Sequence, residues 1–255
     1  MRLRITFSKT GALRYTGHLD LHKIWERTAR RAALPLAYSQ GFHPQPKIQL
    51  AAALPLGFSG RAELVDIWLN VESADSSLRE SEVGLSWPAG QGRLRTPDIQ
   101  IALQQAAPPG LGIIEVEEVD ARAPALQTQV VSAEYEVTLL DPADGSGLTR
   151  RLSAVMEAES LPRQRRGKAY DLRPLIELLH LLPCPPVGHS LSPAPLPPCS
   201  PAPLLLMRLA AREGATGRPE EVLDTLGIAF ENTRIERARL ILKSELESIL
   251  NEKDS

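Results

Sequence analysis

The order of hydrophobic periodicities along the first 120 residues constrains the fold most strongly. Residues 2–7, RLRITF, alternate polar and apolar side chains as a half-buried strand does. From His18 to Ala33 the apolar spacing becomes three and four residues, which indicates a helix. Strands are predicted at 47–54, 62–71 and 113–119, and a short helix at 75–85. The order strand, helix, strand, strand, helix, strand predicts a ferredoxin-like split βαβ unit.

The second half repeats this type of pattern. Strands are predicted at 133–140, near 169–172 and at 204–209, and helices at 148–159 and from 218 to Gly227. Apolar spacing over 233–250 favours an amphipathic terminal helix, with strand or helix left open for 233–243. We therefore expect an α+β chain of two ferredoxin-like split βαβ-type subdomains in tandem, residues 1–120 and 121–255.

A proline-rich segment interrupts the second subdomain. Nine of the 22 prolines lie in residues 182–203. Proline at this density fixes extended backbone and removes hydrogen-bond donors. The segment is therefore predicted to be a surface insertion.

Composition excludes several classes of protein. The first residues, MRLRITFSK, lack the apolar region of a signal peptide, and no run of about 18 apolar residues occurs. Two cysteines are too few for a disulfide framework, which favours a reducing, cytoplasmic location. They are also too few for an iron–sulfur cluster, so no cofactor is expected on this chain.

The charge is unevenly distributed, although the formal net charge is only −2. Residues 1–50 contain nine basic and two acidic side chains, a local charge of +7. Such an excess beside aromatic side chains favours phosphate contacts that are independent of sequence, with base stacking. The predicted phosphate ligands are Lys9, Arg27, Arg30, Arg31 and Lys47.

Residues 38–47, YSQGFHPQPK, form the most informative loop. Prolines restrict its backbone, so His43 and Lys47 would be presented with little ordering cost. Backbone amides around Gly41 are suited to hold an anion, beside the polar side chains of Ser39 and Gln40. The alternative is a tight connection in which His43 is merely exposed.

Three further polar residues suggest catalysis. His18 and His43 form a hypothetical acid and base pair, with Asp20 orienting one imidazole and Lys47 or Arg31 stabilising the developing charge. His18 as a helix-start residue that bonds a neighbouring loop is the alternative. No third ligand accompanies His18 and His22, so no metal site is predicted.

A second basic cluster occurs in the other half of the chain. It is predicted to be a hairpin tip, either solvated or extending the first basic surface, and comprises Arg163, Arg165, Arg166, Lys168 and Arg173.

Residues 7–57 closely resemble the opening of a bacterial radical-SAM-associated domain family of unknown function. The resemblance rests on Phe7-Ser8-Lys9-Thr10-Gly11, His18-Leu19-Asp20, Arg30-Arg31, Leu34-Pro35, Tyr38 through Pro44, Pro46-Lys47-Ile48 and Leu54-Pro55-Leu56-Gly57. Later segments, Tyr170 through Pro174 and Arg218 through Leu223, also resemble the family. Gly17 replaces the serine that usually precedes His-Leu-Asp.

The resemblance implies the stand-alone form of the domain, with a radical SAM protein supplied in trans. S-adenosylmethionine and an iron–sulfur cluster would then be held only by that partner. We expect an accessory RNA-binding or substrate-presenting module in RNA modification or translation-linked metabolism. Two alternatives stay open: a metal-independent RNA-processing enzyme that uses His18 and His43, and a protein-interaction scaffold that docks through the terminal helix and the proline-rich insertion.

Overall fold

The computed structural model describes residues 1–70, 95–141, 145–182 and 203–246. The chain divides into unit 1, Met1–Val130 with Lys243–Ser255, and unit 2, Val131–Leu242. The helix predicted for 75–85 lies outside the described residues, and so does the proline-rich segment apart from Leu182 and Pro203. Strands and helices alternate in both units, so the mixed α and β content is confirmed.

Unit 1 is built on an antiparallel sheet. In chain order its elements are β1 (Arg2–Lys9), α1 (His18–Arg31), β2 (Ile48–Leu50), β3 (Ser59–Trp68), α2 (Thr96–Ala106), β4 (Leu111–Val119) and α3 (Leu126–Gln129). β1 lies between β3 and β4 and is antiparallel to both. The middle of β3, Val65 to Ile67, pairs with β1 on one side and β2 on the other. The strand order is therefore β4-β1-β3-β2.

The hydrophobic core of unit 1 follows from the alternation in β1. Leu3, Ile5 and Phe7 are buried on one face of the strand. From α1, Trp25 packs edge-on against Phe7, with ring centroids 4.9 Å apart. The alternating strand and the apolar stripe of α1 thus account for this half of the core.

The other face of β1 carries a buried ionic cluster. Arg2 and Arg4 are 1% and 8% exposed, and both bind the fully buried carboxylate of Asp66 on β3. Arg2 donates to Asp66 from Nε and from a terminal nitrogen over 2.9 and 2.5 Å, and Arg4 Nε donates over 3.0 Å. Arg2 also donates to the carbonyl oxygens of Ala123 and Pro124, which ties residues 123–124 to the sheet.

The sequence patterns did not identify α2, which covers a bulge in β4. Opposite Thr6 and Phe7 of β1, the register of β4 shifts at Ile113 and Ile114. Gln104 of α2 accepts the amide of Ile113 through its side-chain oxygen over 2.8 Å, and Gln100 donates to the Ile114 carbonyl over 2.8 Å. Two glutamines one helical turn apart thus satisfy the backbone groups that the bulge leaves unpaired.

Unit 2 has its own antiparallel strands. Its elements are β5 (Val130–Leu139), α4 (Gly145–Glu157), β6 (Pro162–Arg165), β7 (Lys168–Asp171), β8 (Ile176–Leu182), β9 (Leu204–Arg212), β10 (Ala215–Thr216), α5 (Pro219–Thr225) and β11 (Thr233–Leu242). β9 pairs with β5 on one side and with β8 on the other, and β11 adjoins β5. The order of these four strands is β8-β9-β5-β11, and β6 and β7 form a separate hairpin.

The apolar spacing over 233–250 favours a terminal helix but leaves strand or helix open for 233–243, and the structure decides that stretch. Residues Thr233–Leu242 form β11, helical backbone begins only at 243, and the described residues end at 246. A buried arginine explains why the spacing does not identify the strand. Arg237 is 2% exposed and occupies an inward position of the strand, where an alternating pattern would require an apolar residue. Among the described residues, no helix is both long enough and apolar enough to span a bilayer.

Candidate functional site

The predicted site residues lie at two opposite ends of unit 1. Lys9 pairs with Gly60 at one end of β1, and Arg2 pairs with Trp68 at the other. The seven-residue separation along β1 corresponds to roughly 23 Å at about 3.3 Å per residue. We refer to these as the Lys9 end and the Trp68 end.

The Lys9 end contains three of the predicted residues. Lys9 is 1% exposed and donates from Nζ to the carbonyl oxygen of Thr16 over 2.9 Å. His18 is half-buried at the first position of α1, and Asp20 is exposed with its carboxylate 3.9 Å from Nζ of Lys23. Lys9 was predicted to contact phosphate, but its ammonium group is buried and bonds the backbone.

His43 and His18 lie on different elements. His43 belongs to the loop at the Trp68 end, and His18 begins α1 two residues after Thr16, whose carbonyl oxygen accepts a hydrogen bond from the Lys9 ammonium. One turn further along α1, the His22 ring lies 3.3 Å from the carbonyl oxygen of Ile48 on β2. General acid–base catalysis requires both groups within reach of one reacting centre. The pair of His18 and His43, with Asp20 as the orienting residue, stays a prediction.

Backbone pairing fixes the base of the loop at the Trp68 end. Ala37 donates to the carbonyl oxygen of Trp68 over 2.8 Å, and Trp68 donates to that of Lys47 over 3.1 Å. Ser39 donates its amide to the carbonyl oxygen of Gln45 over 2.8 Å, and the amide of Gln45 donates to Ser39 Oγ over 3.0 Å. These two hydrogen bonds between Ser39 and Gln45 close the loop at its base.

The tip of this loop is exposed. Gly41 has a φ of +130°, which side chains rarely adopt, so glycine permits the turn. Gln40 and His43 are exposed, and Phe42 is fully exposed at 102%. A phenyl ring thus stands in solvent on a constrained loop.

Arginines from the last two turns of α1 lie at the same end. Arg27 and Arg30 are exposed and Arg31 is half-buried. The guanidinium carbon of Arg30 lies 6.0 Å from the ring centroid of Tyr38, and Arg30 also pairs with Glu26 over 2.8 Å. We call this set, Arg27, Arg30 and Arg31 with residues 38–47, the basic end.

An open groove of about 400 Å³ adjoins the loop. It is lined by Ser39, residues 45–49 and Trp68. Ser39 and Lys47 had been predicted as binding residues, whereas Gln49 and Trp68 had not. The sequence contained a signal for both. Gln49 on β2 lies two residues after Lys47, which directly precedes that strand, so their side chains share one face. Trp68 likewise shares a face with Asp66 on β3.

The second basic cluster contributes to the packing of unit 2. Arg165 on β6 binds both carboxylate oxygens of Glu221 on α5, over 3.1 and 2.5 Å, and its guanidinium lies 4.7 Å from the ring centroid of Tyr170. Burial raises the pKa of Glu221, but hydrogen bonds from Arg165 and Tyr170 outweigh it, so this pKa lies below its ordinary value. The two later segments of the family resemblance therefore meet at this contact.

Other arginines of the cluster are similarly engaged. Arg163 binds Asp224 over 3.0 Å, and Arg173 donates to the carbonyl oxygens of Met156 and Ile176. At the hairpin tip, which is confirmed, Arg166 and Lys168 are exposed.

Within the described ranges, no group of three or more His, Cys, Asp and Glu side chains is placed to hold a metal ion. Both cysteines, Cys184 and Cys199, lie outside those ranges. The described residues therefore contain no cysteine that could ligate an iron–sulfur cluster.

Comparison with family models matches residues 2–219 to a family described as "Uncharacterized protein conserved in bacteria (DUF2344)". No curated protein matches the chain.

Proposed function

This chain belongs to DUF2344, an uncharacterized family of bacterial proteins, and we propose that it is an accessory RNA-binding module. The basic end of unit 1 would contact the RNA. Its arginines and Lys47 would bind phosphates, while Ser39, Gln40, Gly41 and His43 lie on the loop that would contact the recognised group.

One observation carries the proposal: cations and exposed aromatic rings occur together at one end of unit 1. Arg30 lies over Tyr38, and Phe42 is completely exposed on the neighbouring loop. Proteins that bind single strands combine cationic side chains for the backbone with aromatic rings on which bases stack. Neither the loop nor α1 needs Phe42 for packing, so a partner that stacks on it gives this ring a role.

The strand orders support a finer description of the fold, two ferredoxin-like split βαβ units in tandem. In β4-β1-β3-β2 and in β8-β9-β5-β11, the first strand of the unit lies between the third and the fourth when β6, β7 and β10 are set aside as additions. RNA-binding modules with a four-stranded sheet often stack bases on aromatic residues of its open face. Here the corresponding face carries Arg2, Arg4 and Asp66, which are buried, so bases cannot stack there and binding at the end of the sheet is favoured.

Salt-dependent binding tests the proposal. We expect the double variant Arg27→Ala/Arg30→Ala to bind a single-stranded tRNA fragment about tenfold more weakly. The slope of log affinity against log salt should fall by about 1.4, the value for two phosphate contacts on a single strand. Phe42→Ala should cost about tenfold with an unchanged slope, because base stacking is not ionic.

A matched control is available on α4 of unit 2, where Arg150 and Arg151 are both exposed. Arg150→Ala/Arg151→Ala removes the same charge from unit 2 and leaves the residues of the basic end unchanged. Equal losses in the two double variants, or binding without any salt slope, would contradict the proposal.

The proposed partner is a radical SAM protein in trans, which would hold S-adenosylmethionine and the cluster. Its sole support is the family resemblance, which is strongest in residues 7–57. Co-purification with a co-expressed radical SAM protein tests it, with nuclease treatment to separate a direct contact from one bridged by RNA. Recovery without RNA binding would instead favour the scaffold alternative, whose predicted docking segments lie largely outside the described residues.

A further inference from the structure

We propose that the groove between Lys47 and Trp68 is a binding site for a single nucleotide carrying a phosphate. The inference rests on the proposed RNA-binding function and deepens it by naming the chemical group that occupies the groove. Three features of the groove fit such a ligand: the hydrogen-bonding state of the lining residues, the charge beneath them and the indole of Trp68.

The side-chain oxygens of Ser39 and Gln49 already accept hydrogen bonds within the fold. Ser39 Oγ accepts the amide of Gln45, and Gln49 Oε1 accepts the amide of Leu126 over 3.0 Å. Among the residues that the structure describes, the hydroxyl hydrogen of Ser39 and the side-chain NH₂ of Gln49 have no acceptor within the fold. Two residues of the lining therefore present donors that the fold itself orients.

Lys47 adds a cation to these donors. Its side chain is exposed beside the groove, and no ion pair with it occurs in the described part of the chain. No carboxylate is among the residues that line the groove. A lining with ammonium, hydroxyl and amide donors matches the acceptor oxygens of a phosphate.

The buried cluster beneath the groove has a net positive charge, like Lys47. Asp66 is shared by Arg2 and Arg4, so the cluster holds two cations against one anion. Arg2 lies against Trp68, with its guanidinium carbon 4.7 Å from the ring centroid. Glu117, the neighbour of Arg4 on β4, lies across β1 from the groove. An anion in the groove would thus be attracted by Lys47 and by the cluster together.

Trp68 explains why the ligand should contain a flat ring. The indole lines the groove and is held in place by Arg2 on one side. Aromatic side chains stack on any nucleobase. The volume of about 400 Å³ lies within the range of small-ligand sites. A base on Trp68 and a phosphate at Lys47 satisfy both parts of the groove.

Calorimetric titration of the full chain with AMP and with adenosine tests the inference. We expect AMP to bind at least tenfold more tightly than adenosine, and Lys47→Ala to remove most of that difference. Lys47→Arg should retain it. Lys168→Ala, at an exposed lysine of the unit 2 hairpin, is the matched control and should change nothing. Because Trp68 contacts Arg2, Trp68→Phe is preferred to alanine; it should keep the binding while reducing the change in fluorescence on AMP addition.

The source of the nucleotide is decided by a second pair of ligands. If the groove receives the end of an RNA strand, a 5′-phosphorylated hexaadenylate binds more tightly than AMP and than its 5′-hydroxyl form. If it receives a free nucleotide, AMP binds as tightly as the hexamer. Both results support a nucleotide site.

Other results overturn the inference or the proposed function separately. Equal affinity for AMP and adenosine, or an unchanged AMP affinity in Lys47→Ala, overturns the inference. RNA binding that depends on Arg27 and Arg30 but occurs without any AMP binding also overturns it and leaves the proposed function intact. AMP binding that depends on Lys47, in a protein that binds no RNA, supports the inference and overturns the proposed function.

Discussion

The cations of β1 and those of α1 come from the same 31 residues but differ in burial. Arg2, Arg4 and Lys9 on β1 are buried and bond Asp66 or the backbone. Arg27 and Arg30 on α1 face solvent. The local excess of +7 is therefore not all surface charge, because three of its nine basic side chains are inside unit 1.

This difference shows that a basic sequence is not the same as a basic surface. Whether an arginine on a strand is exposed to water depends on what packs against its face of the sheet. β1 is a central strand between β3 and β4, and its arginines are buried. If the β1 cations act on the fold and the α1 cations on a ligand, substitutions in the first group should change stability and those in the second should change RNA affinity.

The largest effect is expected at Asp66. Asp66→Asn leaves Arg2 and Arg4 buried without their counter-ion, which should lower the free energy of unfolding by about 3–5 kcal/mol. Urea denaturation measures this. The control Asp20→Asn changes a carboxylate that is 68% exposed and should alter stability by no more than about 0.5 kcal/mol. Similar losses in both variants would show that the buried cluster contributes nothing special.

The next largest loss of stability is expected at Lys9, where a role in the fold can be distinguished from a role in RNA binding. Lys9→Met keeps the length of the side chain but removes the charged hydrogen bond to Thr16, so unfolding should become easier by about 2 kcal/mol. RNA affinity of the folded protein should be unchanged. Lys23→Met, at a side chain that is 64% exposed, is the control and should leave stability unaltered. Weakened RNA binding with normal stability in Lys9→Met would restore Lys9 as a phosphate ligand.

The smallest loss of stability is expected at Glu134 in unit 2, whose exposure lies between that of Asp66 and that of Asp20. Glu134 is 13% exposed and binds Arg208 and Arg239 over 2.6 and 2.7 Å. Burial raises the pKa of Glu134, but hydrogen bonds from Arg239 and Arg208, with their charge, outweigh it and lower the pKa below its ordinary value. Glu134→Gln should therefore cost about 1 kcal/mol at pH 7.

The pH dependence of that cost follows from its sign. A carboxyl with a lowered folded-state pKa contributes fully above its unfolded value of 4.5 and loses the contribution as pH falls through the folded value. Thermal unfolding of the two proteins should differ at pH 7 and converge in acid. A gap that stays constant down to pH 3 would show that the loss has another cause.

Much of the fold could be predicted because periodicity reports burial. β1, α1, β4 and β5 were found from alternation or helical spacing. The spacing leaves β11 undecided because buried Arg237 hides its alternation, and it does not identify α2, although Ile99, Leu103 and Ala106 lie on one buried face. Residue type misleads where a charged side chain takes an inward position that the alternation reserves for an apolar residue, as Arg237 does in β11.

The candidate site was predictable only in part for a related reason. The loop of residues 38–47 stood out because glycine and prolines restrict it locally. The placement of His18 relative to His43 depends on how α1 and the loop pack on the sheet, which sequence separation does not reveal. Trp68 joins Lys47 only through the pairing of β2 with β3.

The glutamines of α2 have a consequence for how the protein behaves at high concentration. β4 ends the sheet of unit 1, and among the described strands it pairs with β1 alone. Another chain would need its outward amides and carbonyls to extend the sheet, but Gln100 and Gln104 already occupy two of them. Exposed Glu115 and Glu117 would also repel a second copy of the same strand. The β4 edge of unit 1 therefore disfavours the addition of strands from other copies, as occurs in fibrils.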